Sequence, residues 1–281
     1  MQVTISRMFV LIISCLPLFS LAQTYNAKII HKIEGFEHPE SVVLDSINKV
    51  LFVSNIGDKE PGDGSISRLG VNGQDILYKW VTGLNDPKGM LLLGKILYVT
   101  DNTDLVLIDT EKAQIIERVK VEGAGFLNDI AEGPEGSLFI SDTRNSSIFK
   151  REASGKISEW MNTGNLENPN GLLVLGNELF IAAWGGEGPG NVLRVHLNSK
   201  EINKVTNSGI GNLDGIQKGE NGNLFVSDWA TGKIYSVLEN KDNVIILTSA
   251  KSSGDILYLN TDKQIIVPMN IQNEVWWYQL E

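Results

Sequence analysis

Six positions in this 281-residue chain have the types and spacing to do chemistry: Glu40, Lys88, Asn128, Asn170, Asp214 and Gly254. Each opens a strand-like stretch behind a turn, as in His38-Pro39-Glu40-Ser41, Asp86-Pro87-Lys88-Gly89 and Leu127-Asn128-Asp129. Glu40, Asn128, Asn170 and Asp214 offer carboxylate and carbonyl oxygens with no imidazole or thiolate. That is the donor set of a hard cation, calcium before magnesium and either before zinc. Taken singly, such residues are ordinary turn formers. In register on separate repeats and aimed at one axis, they argue for a bound or bindable cation. Lys88 in the same column argues back, since a divalent cation about 8 Å from an ammonium costs roughly 4 kcal/mol at an effective dielectric near 20. The conflict is resolved if Lys88 turns away or pairs with Asp86 or Glu40. Alternatively, Lys88 replaces the metal and bridges the carboxylates directly.

The register comes from a phrase written six times. Phe52-Val53-Ser54-Asn55, Tyr98-Val99-Thr100-Asp101 and Phe139-Ile140-Ser141-Asp142 are the first three copies; Phe180-Ile181-Ala182-Ala183, Phe225-Val226-Ser227-Asp228 and Ile266-Val267-Pro268-Met269 are the others. Copies lie roughly 40 to 47 residues apart, the spacing of stacked four-stranded blades rather than one continuous sheet. Within a unit the hydrophobicity alternates as in strands. In the fifth, residues 215–218, 223–227, 233–238 and 243–248 are the expected strands, with turns at Glu220-Asn221-Gly222 and Ala230-Thr231-Gly232. No segment has a long helical period. The expected fold is all-β: a six-bladed β-propeller with four antiparallel strands per blade and the polar column at one mouth of its channel. On this view the repeated phrase builds blades and carries no chemistry. The last unit, residues 254–280, supplies only three strands, whereas residues 26–33 look like a fourth. Pairing them with residues 273–280 closes the last blade with the N-terminal strand and removes two exposed edges.

Composition sets the class. Hydrophobic residues make up 42% and charged residues 21%, which is ordinary for a globular protein, and 24 basic against 34 acidic residues give a net charge of -10. No basic run is present, so nucleic acid is not an expected partner; acidity is compatible with cation binding. Residues 1–22 read as a cleaved secretory signal: Arg7, an apolar stretch from Met8 to Leu18, and the small-x-small site Ser20-Leu21-Ala22. That stretch is too short and proline-interrupted for a membrane span, and no second one follows. Residues 23–281 are then a secreted or periplasmic propeller, expected to be a monomer acting on a small molecule. Ile12-Ile13-Ser14-Cys15 resembles a lipoprotein cleavage box, but the apolar stretch continues past Cys15 where a lipoprotein turns polar. Cys15 is the only cysteine, so the mature domain relies on its core rather than on disulfides.

Loops after each second strand emerge at the same mouth. Their Ser/Thr-Asp pairs, ending in Asp101, Asp142 and Asp228, resemble the NHL-type repeat, in which the Asp secures a turn inside its blade. Trp184 and Trp229 replace small turn residues there, where a ring covers a ligand or packs on the neighbouring blade. The Gly-rich run at 185–190 lacks the lysine and following helix of a phosphate loop and reads as a long loop. His31 and His196 fall on strand positions and His38 lies near Glu40, so no nucleophile triad is expected.

The Glu, Asn, Asn, Asp series over six blades resembles the senescence marker protein–gluconolactonase family of calcium-dependent lactonases, and its kin paraoxonase and diisopropyl fluorophosphatase. The resemblance spans the mature chain. It implies a gluconolactonase-like hydrolase of a lactone or ester, with Ca2+ or another divalent cation such as Mg2+ at the channel mouth. Glu40, Asn170 and Asp214 would be metal ligands and Asn128 a fourth ligand or a substrate contact. Asp129 would be a carboxylate behind them, and Asp214 would double as base or nucleophile. Lys88, Phe126, Trp184 and Trp229 would line the pocket. Phe126 stands where the sugar lactonases carry an arginine that meets substrate hydroxyls, so that contact does not transfer. The alternative is a non-catalytic, NHL-like propeller that holds a small ligand or a protein at the same mouth, a reading favoured by Lys88, Phe126 and the missing histidine relay.

Overall fold

The computed structural model describes residues 25–58, 60–239 and 242–281. The expected leader at 1–22 and Cys15 lie outside them. Six sheets of four antiparallel strands surround one axis, and the only helical turns among the described residues are 3-10 turns at Pro134–Gly136 and Gly164–Leu166. No described helix is long and apolar enough to cross a membrane. The innermost strands are Pro39–Asp45, Pro87–Leu93, Leu127–Glu132, Pro169–Leu175, Leu213–Lys218 and the short Leu257–Leu259. Each copy of the repeated phrase falls in the second strand of its blade, for example Leu138–Asp142 in blade three and Leu224–Asp228 in blade five.

The apolar alternation is spent between blades rather than inside them. Six buried clusters each straddle one joint of the ring. Phe52 and Ile66 of blade one meet Leu97, Val99 and Ile108 of blade two. Phe225 and Ile234 of blade five meet Tyr258, Ile265 and Trp276 of blade six. Burial on this scale, at about 25 cal/mol per Å2 of apolar area, is what keeps separate sheets together without disulfides.

The sixth blade is built from both ends of the chain. Its outer strand, Ala27–Glu34, pairs antiparallel with Glu274–Leu280, from Ala27 opposite Leu280 to Glu34 opposite Glu274. Tyr25 packs edge-on against Phe225 at 5.8 Å and its hydroxyl accepts from Asn223 Nδ2 at 3.0 Å. The N-terminal strand is thereby anchored to blade five as well. Trp277, almost fully buried, carries the closure to blade one by donating to the Val71 carbonyl at 3.2 Å. Removing residues 23–33 would leave the edge of Glu274–Leu280 unpaired. The expected result in size-exclusion chromatography is loss of the soluble species to aggregates; a well-behaved truncated species with an unchanged melting temperature would contradict the closure.

Candidate functional site

In five blades the innermost strand breaks register with the second strand at one place. The shifts fall between Pro39 and Val42, Pro87 and Met90, Leu127 and Ile130, Pro169 and Leu172, and Leu213 and Ile216. The residues skipped by the ladder are the polar column and its successors: Glu40-Ser41, Lys88-Gly89, Asn128-Asp129, Asn170-Gly171 and Asp214-Gly215. A bulge frees a residue from the pleat and re-aims its side chain. It also strands backbone groups, and the third residue of the repeated phrase takes them up. Ser54, Ser141 and Ser227 accept the N–H of Ser41, Asp129 and Gly215 at 3.0, 2.8 and 2.8 Å. Ser141 and Ser227 then donate to the carbonyls of Asn170 and Gly254 on the next blade, at 2.7 and 2.8 Å. Thr100 donates likewise to the Asn128 carbonyl. The phrase expected to be chemically silent is what holds the column in place.

All five side chains of the column are buried: Glu40, Lys88, Asn128, Asn170 and Asp214 expose between 2% and 7% of their surface. Lys88 Nζ lies 2.9 Å from Asp86 Oδ1 and 4.8 Å from the centroid of the Phe126 ring. Of the alternatives open in the sequence, the ammonium takes the pairing with Asp86. One position deeper, Asp129 Oδ2 accepts the N–H of Leu172 at 2.6 Å, so this carboxylate fixes the strand that carries Asn170. Asp255 Oδ2 accepts from Ser41 Oγ at 2.8 Å, and the Asp255 N–H donates to the Glu40 carbonyl at 2.8 Å. Asp255 and Ser41 are site residues that the column hides, because Asp255 follows Gly254 as Asp129 follows Asn128.

Four carboxyl groups thus share the axis with one ammonium. Burial raises Glu40 well above the usual carboxylate range, and Asp214 pushes it further; Lys88 pulls it partly back. Burial raises Asp214, with Asp255 adding and Lys88 opposing. Asp129 is raised by burial and by Asp255, against the backbone N–H groups of Leu172 and Ile130. Asp255 is pushed by burial to about 7, with the Ser41 hydroxyl pulling the other way. Such a cluster needs protons or a cation to be stable.

The residues present fit a cation. Glu40 Oε2 and Asn170 Oδ1 are buried with no hydrogen-bond partner, and an orphaned buried oxygen is costly. No three His, Cys, Asp or Glu side chains converge on one point among the described residues; the shared register instead holds two carboxylates and two amides, an all-oxygen set suited to calcium.

The rim of the mouth is aromatic and hydrogen-bonded. Trp184 and Trp229 face each other with ring centroids 5.8 Å apart, so they pack across blades four and five. Phe126 lies half-buried at the start of blade three. Asp101, Asp142 and Asp228 secure turns: Asp142 accepts the N–H groups of Gly125 and Phe126 at 2.6 and 3.0 Å, and Asp228 that of Asn212 at 3.1 Å. Asp101 does the same for Asn85 and Asp86. The Gly-rich loop packs on the next blade through Gly190 N–H to the Gly211 carbonyl at 2.7 Å. It walls a cavity of about 490 Å3 together with Ile210, Asn212 and Lys233. His31 and His196 lie in strands as expected; His38 is held in a left-handed conformation, φ 53°, two residues before Glu40.

No family model matches this chain, and no curated protein does. Solved structures do. A gluconolactonase from Xanthomonas campestris superposes with a TM-score of 0.71 at 11% identity, over 89% of this chain and 88% of its own. Virginiamycin B lyase from Staphylococcus aureus gives a TM-score of 0.66 at 14% identity, over 92% and 100% of the two chains. A streptogramin B lyase gives 0.67 at 12% identity, over 92% and 98%. The chain has the fold of the gluconolactonase and lyase propellers. At these identities the likeness is one of architecture, and the site must be argued from its own residues.

Two outcomes test the site. Ser141→Ala removes the acceptor of the Asp129 N–H and the donor to the Asn170 carbonyl; a loss of about 2 kcal/mol, read as a fall of several degrees in melting temperature, is expected. In chelator, the folded state binds more protons than the unfolded one between the ordinary carboxylate range near 4 and the raised value of Asp255, about 7. Stability therefore falls as pH rises through this window, and Asp255→Asn flattens the decline. Melting curves from pH 5 to 8 with a flat profile would contradict the carboxyl cluster.

Proposed function

We propose that this protein is a cation-dependent hydrolase of a lactone or ester, with calcium as the favoured ion, held at the mouth of the channel. The observation that carries the reading is the pair of buried oxygens without partners, Glu40 Oε2 and Asn170 Oδ1, in register with Asp214 and Asn128. The shared fold of a gluconolactonase and B lyases supports an enzyme over a scaffold. Glu40, Asn170 and Asp214 would hold the ion, and Asn128 would be a fourth ligand or a substrate contact. When bound, the cation supplies Lewis-acid polarisation of the acyl oxygen and a site for water.

The chain's own residues supply the rest. Asp214, its carboxyl raised by burial and by Asp255, takes the proton of the attacking water at one carboxylate oxygen and returns it to the alkoxide released when the acyl C–O bond breaks; its position in the column also suits it to act as nucleophile. The Asn128 amide donates to the oxygen on which charge develops. Asp129 works from behind by fixing Leu172 and with it the strand of Asn170. Secretion through the 1–22 leader and a monomeric state belong to the same proposal.

One feature favours a second reading, a non-catalytic binding propeller: a buried ammonium, Lys88, occupies a column position and bears on both Glu40 and Asp214. Calcium against chelator separates the two. On the hydrolase reading calcium raises the melting temperature, more at pH 8 than at pH 5 because the ion competes with protons. Asp214→Ala and Asn170→Ala each abolish turnover of a lactone and aryl-ester panel while the fold persists. Product mass then tells hydrolysis, a gain of one water, from ring opening by elimination, no gain. Turnover unaffected by chelation and by Asp214→Ala would refute the proposal.

A further inference from the structure

The lip of the mouth carries a cation that the site described above does not use. Arg144 is exposed, and its guanidinium lies 5.4 Å from the centroid of Phe126. It makes no ion pair with any described residue. The nearby carboxylates are otherwise engaged. Asp86 is taken by Lys88. Asp142 is fully buried, and its oxygens accept from Gly125, Phe126 and both the backbone and the side chain of Asn145. Lys88 pairs with Asp86, so on this side of the lip Arg144 is the cation that no described carboxylate pairs, held over an aromatic ring.

The same lip is strung with flat apolar surfaces. The Phe126 carbonyl accepts from Thr143 N–H at 3.1 Å, and the Thr143 carbonyl from Asn168 Nδ2 at 3.0 Å. The Asn168 carbonyl accepts from Trp184 N–H at 2.9 Å; the Trp184 carbonyl accepts from Asn212 Nδ2 at 3.0 Å, and the Asn212 carbonyl from Trp229 N–H at 3.0 Å. The backbones that carry Phe126, Trp184 and Trp229 are therefore tied in series along three consecutive blades, with Arg144 beside Phe126 at one end. All three rings keep part of their surface open.

Resting on the hydrolase reading, we infer that the substrate is an aryl or similarly flat apolar lactone or ester bearing a single carboxylate. Its carboxylate meets Arg144 and its ring lies along Phe126 towards Trp184 and Trp229. A guanidinium offers a planar two-pronged donor that fits a carboxylate. A doubly charged phosphate suits the lip less, because a single free cation faces it while four carboxyl groups line the axis below. A polyhydroxylated ring suits this lip less, because its line of three rings is apolar and one N–H of each of Asn168 and Asn212 is already taken by the carbonyls of Thr143 and Trp184.

The test does not depend on turnover. Titration calorimetry in calcium buffer compares 3-phenylpropanoate, the uncharged 3-phenylpropanol and gluconate on the wild type, Arg144→Gln and Phe126→Ala. Phenylpropanoate should bind at least ~10-fold more tightly than gluconate, a margin of about 1.4 kcal/mol. Arg144→Gln should erase the advantage of the carboxylate over the alcohol and leave the alcohol unchanged, Arg144→Lys should restore part of it, and Phe126→Ala should weaken both. The exposed position of Arg144 makes its two variants neutral for folding. Gluconate binding as well as phenylpropanoate, an equal loss of acid and alcohol on Arg144→Gln, or no binding of any probe would each overturn the inference. Hydrolysis of 3-(4-acetoxyphenyl)propanoate, an aryl ester that carries one carboxylate, and of glucono-lactone is measured in parallel. Preferred binding without turnover removes the hydrolase reading alone, and turnover that favours glucono-lactone removes this inference alone.

Discussion

A serine or threonine hydroxyl at the joint between blades is the interaction on which the site depends. The innermost strands bulge where the column turns to the axis, and a bulge leaves a backbone N–H with no ladder partner in a dry interior. Ser141 accepts that N–H from Asp129 and donates its own hydroxyl to the carbonyl of Asn170 on the next blade. A satisfied hydrogen bond of this kind is worth about 1 kcal/mol net, but each group left orphaned costs about 1–3 kcal/mol. The hydroxyl therefore does more to permit the bulge than to stabilise the sheet. Two copies of the phrase lack it, Ala182 and Pro268. There the backbones meet directly: a Cβ on Gly171 would lie 2.1 Å from the Asp214 carbonyl oxygen, and Asp255 N–H donates to the Glu40 carbonyl at 2.8 Å.

Bringing the inner strands this close has an electrostatic consequence. Glu40, Asp129, Asp214 and Asp255 are forced into one another's field, where burial and like charge both favour the protonated form. Lys88 does not balance four carboxyls, and its nearest anion is a fifth, Asp86. Natural cores avoid such clusters unless something compensates. The ring geometry and the carboxyl cluster are thus one constraint: the bulges that aim oxygens at the axis also create the charge that protons, or the proposed cation, relieve.

The blades were legible because their signal is local. Alternation, turn residues and a repeat near 43 residues need no tertiary information, and the closure by Ala27–Glu34 followed from counting strands. The column was legible for a related reason, since register along a repeat converts directly to position around an axis. What stayed hidden are contacts that cross joints. Asp255 sits opposite Ser41 across the seam where the chain's ends meet, over 200 residues apart in sequence. The role of Ser54, Thr100, Ser141 and Ser227 was hidden by its regularity, because a residue repeated in every blade looks like strand filler. The pairing of Lys88 with Asp86 was one of several alternatives, and side-chain direction decides it.

The repeated phrase and the irregular column are therefore two halves of one device. A ring of identical blades would bring identical residues to the axis, six carboxylates or six amides, and neither makes a selective site. Function needs the inner column to vary while the joints stay constant. A joint made through backbone carbonyls and a hydroxyl from the neighbouring blade meets this need, because it does not touch the side chain of the residue it holds. Asn128, Asn170 and Gly254 receive the same hydroxyl contact despite having different side chains. The column can change its chemistry one blade at a time without loosening the ring, and this is how a lysine can stand among the oxygens of an otherwise acidic axis.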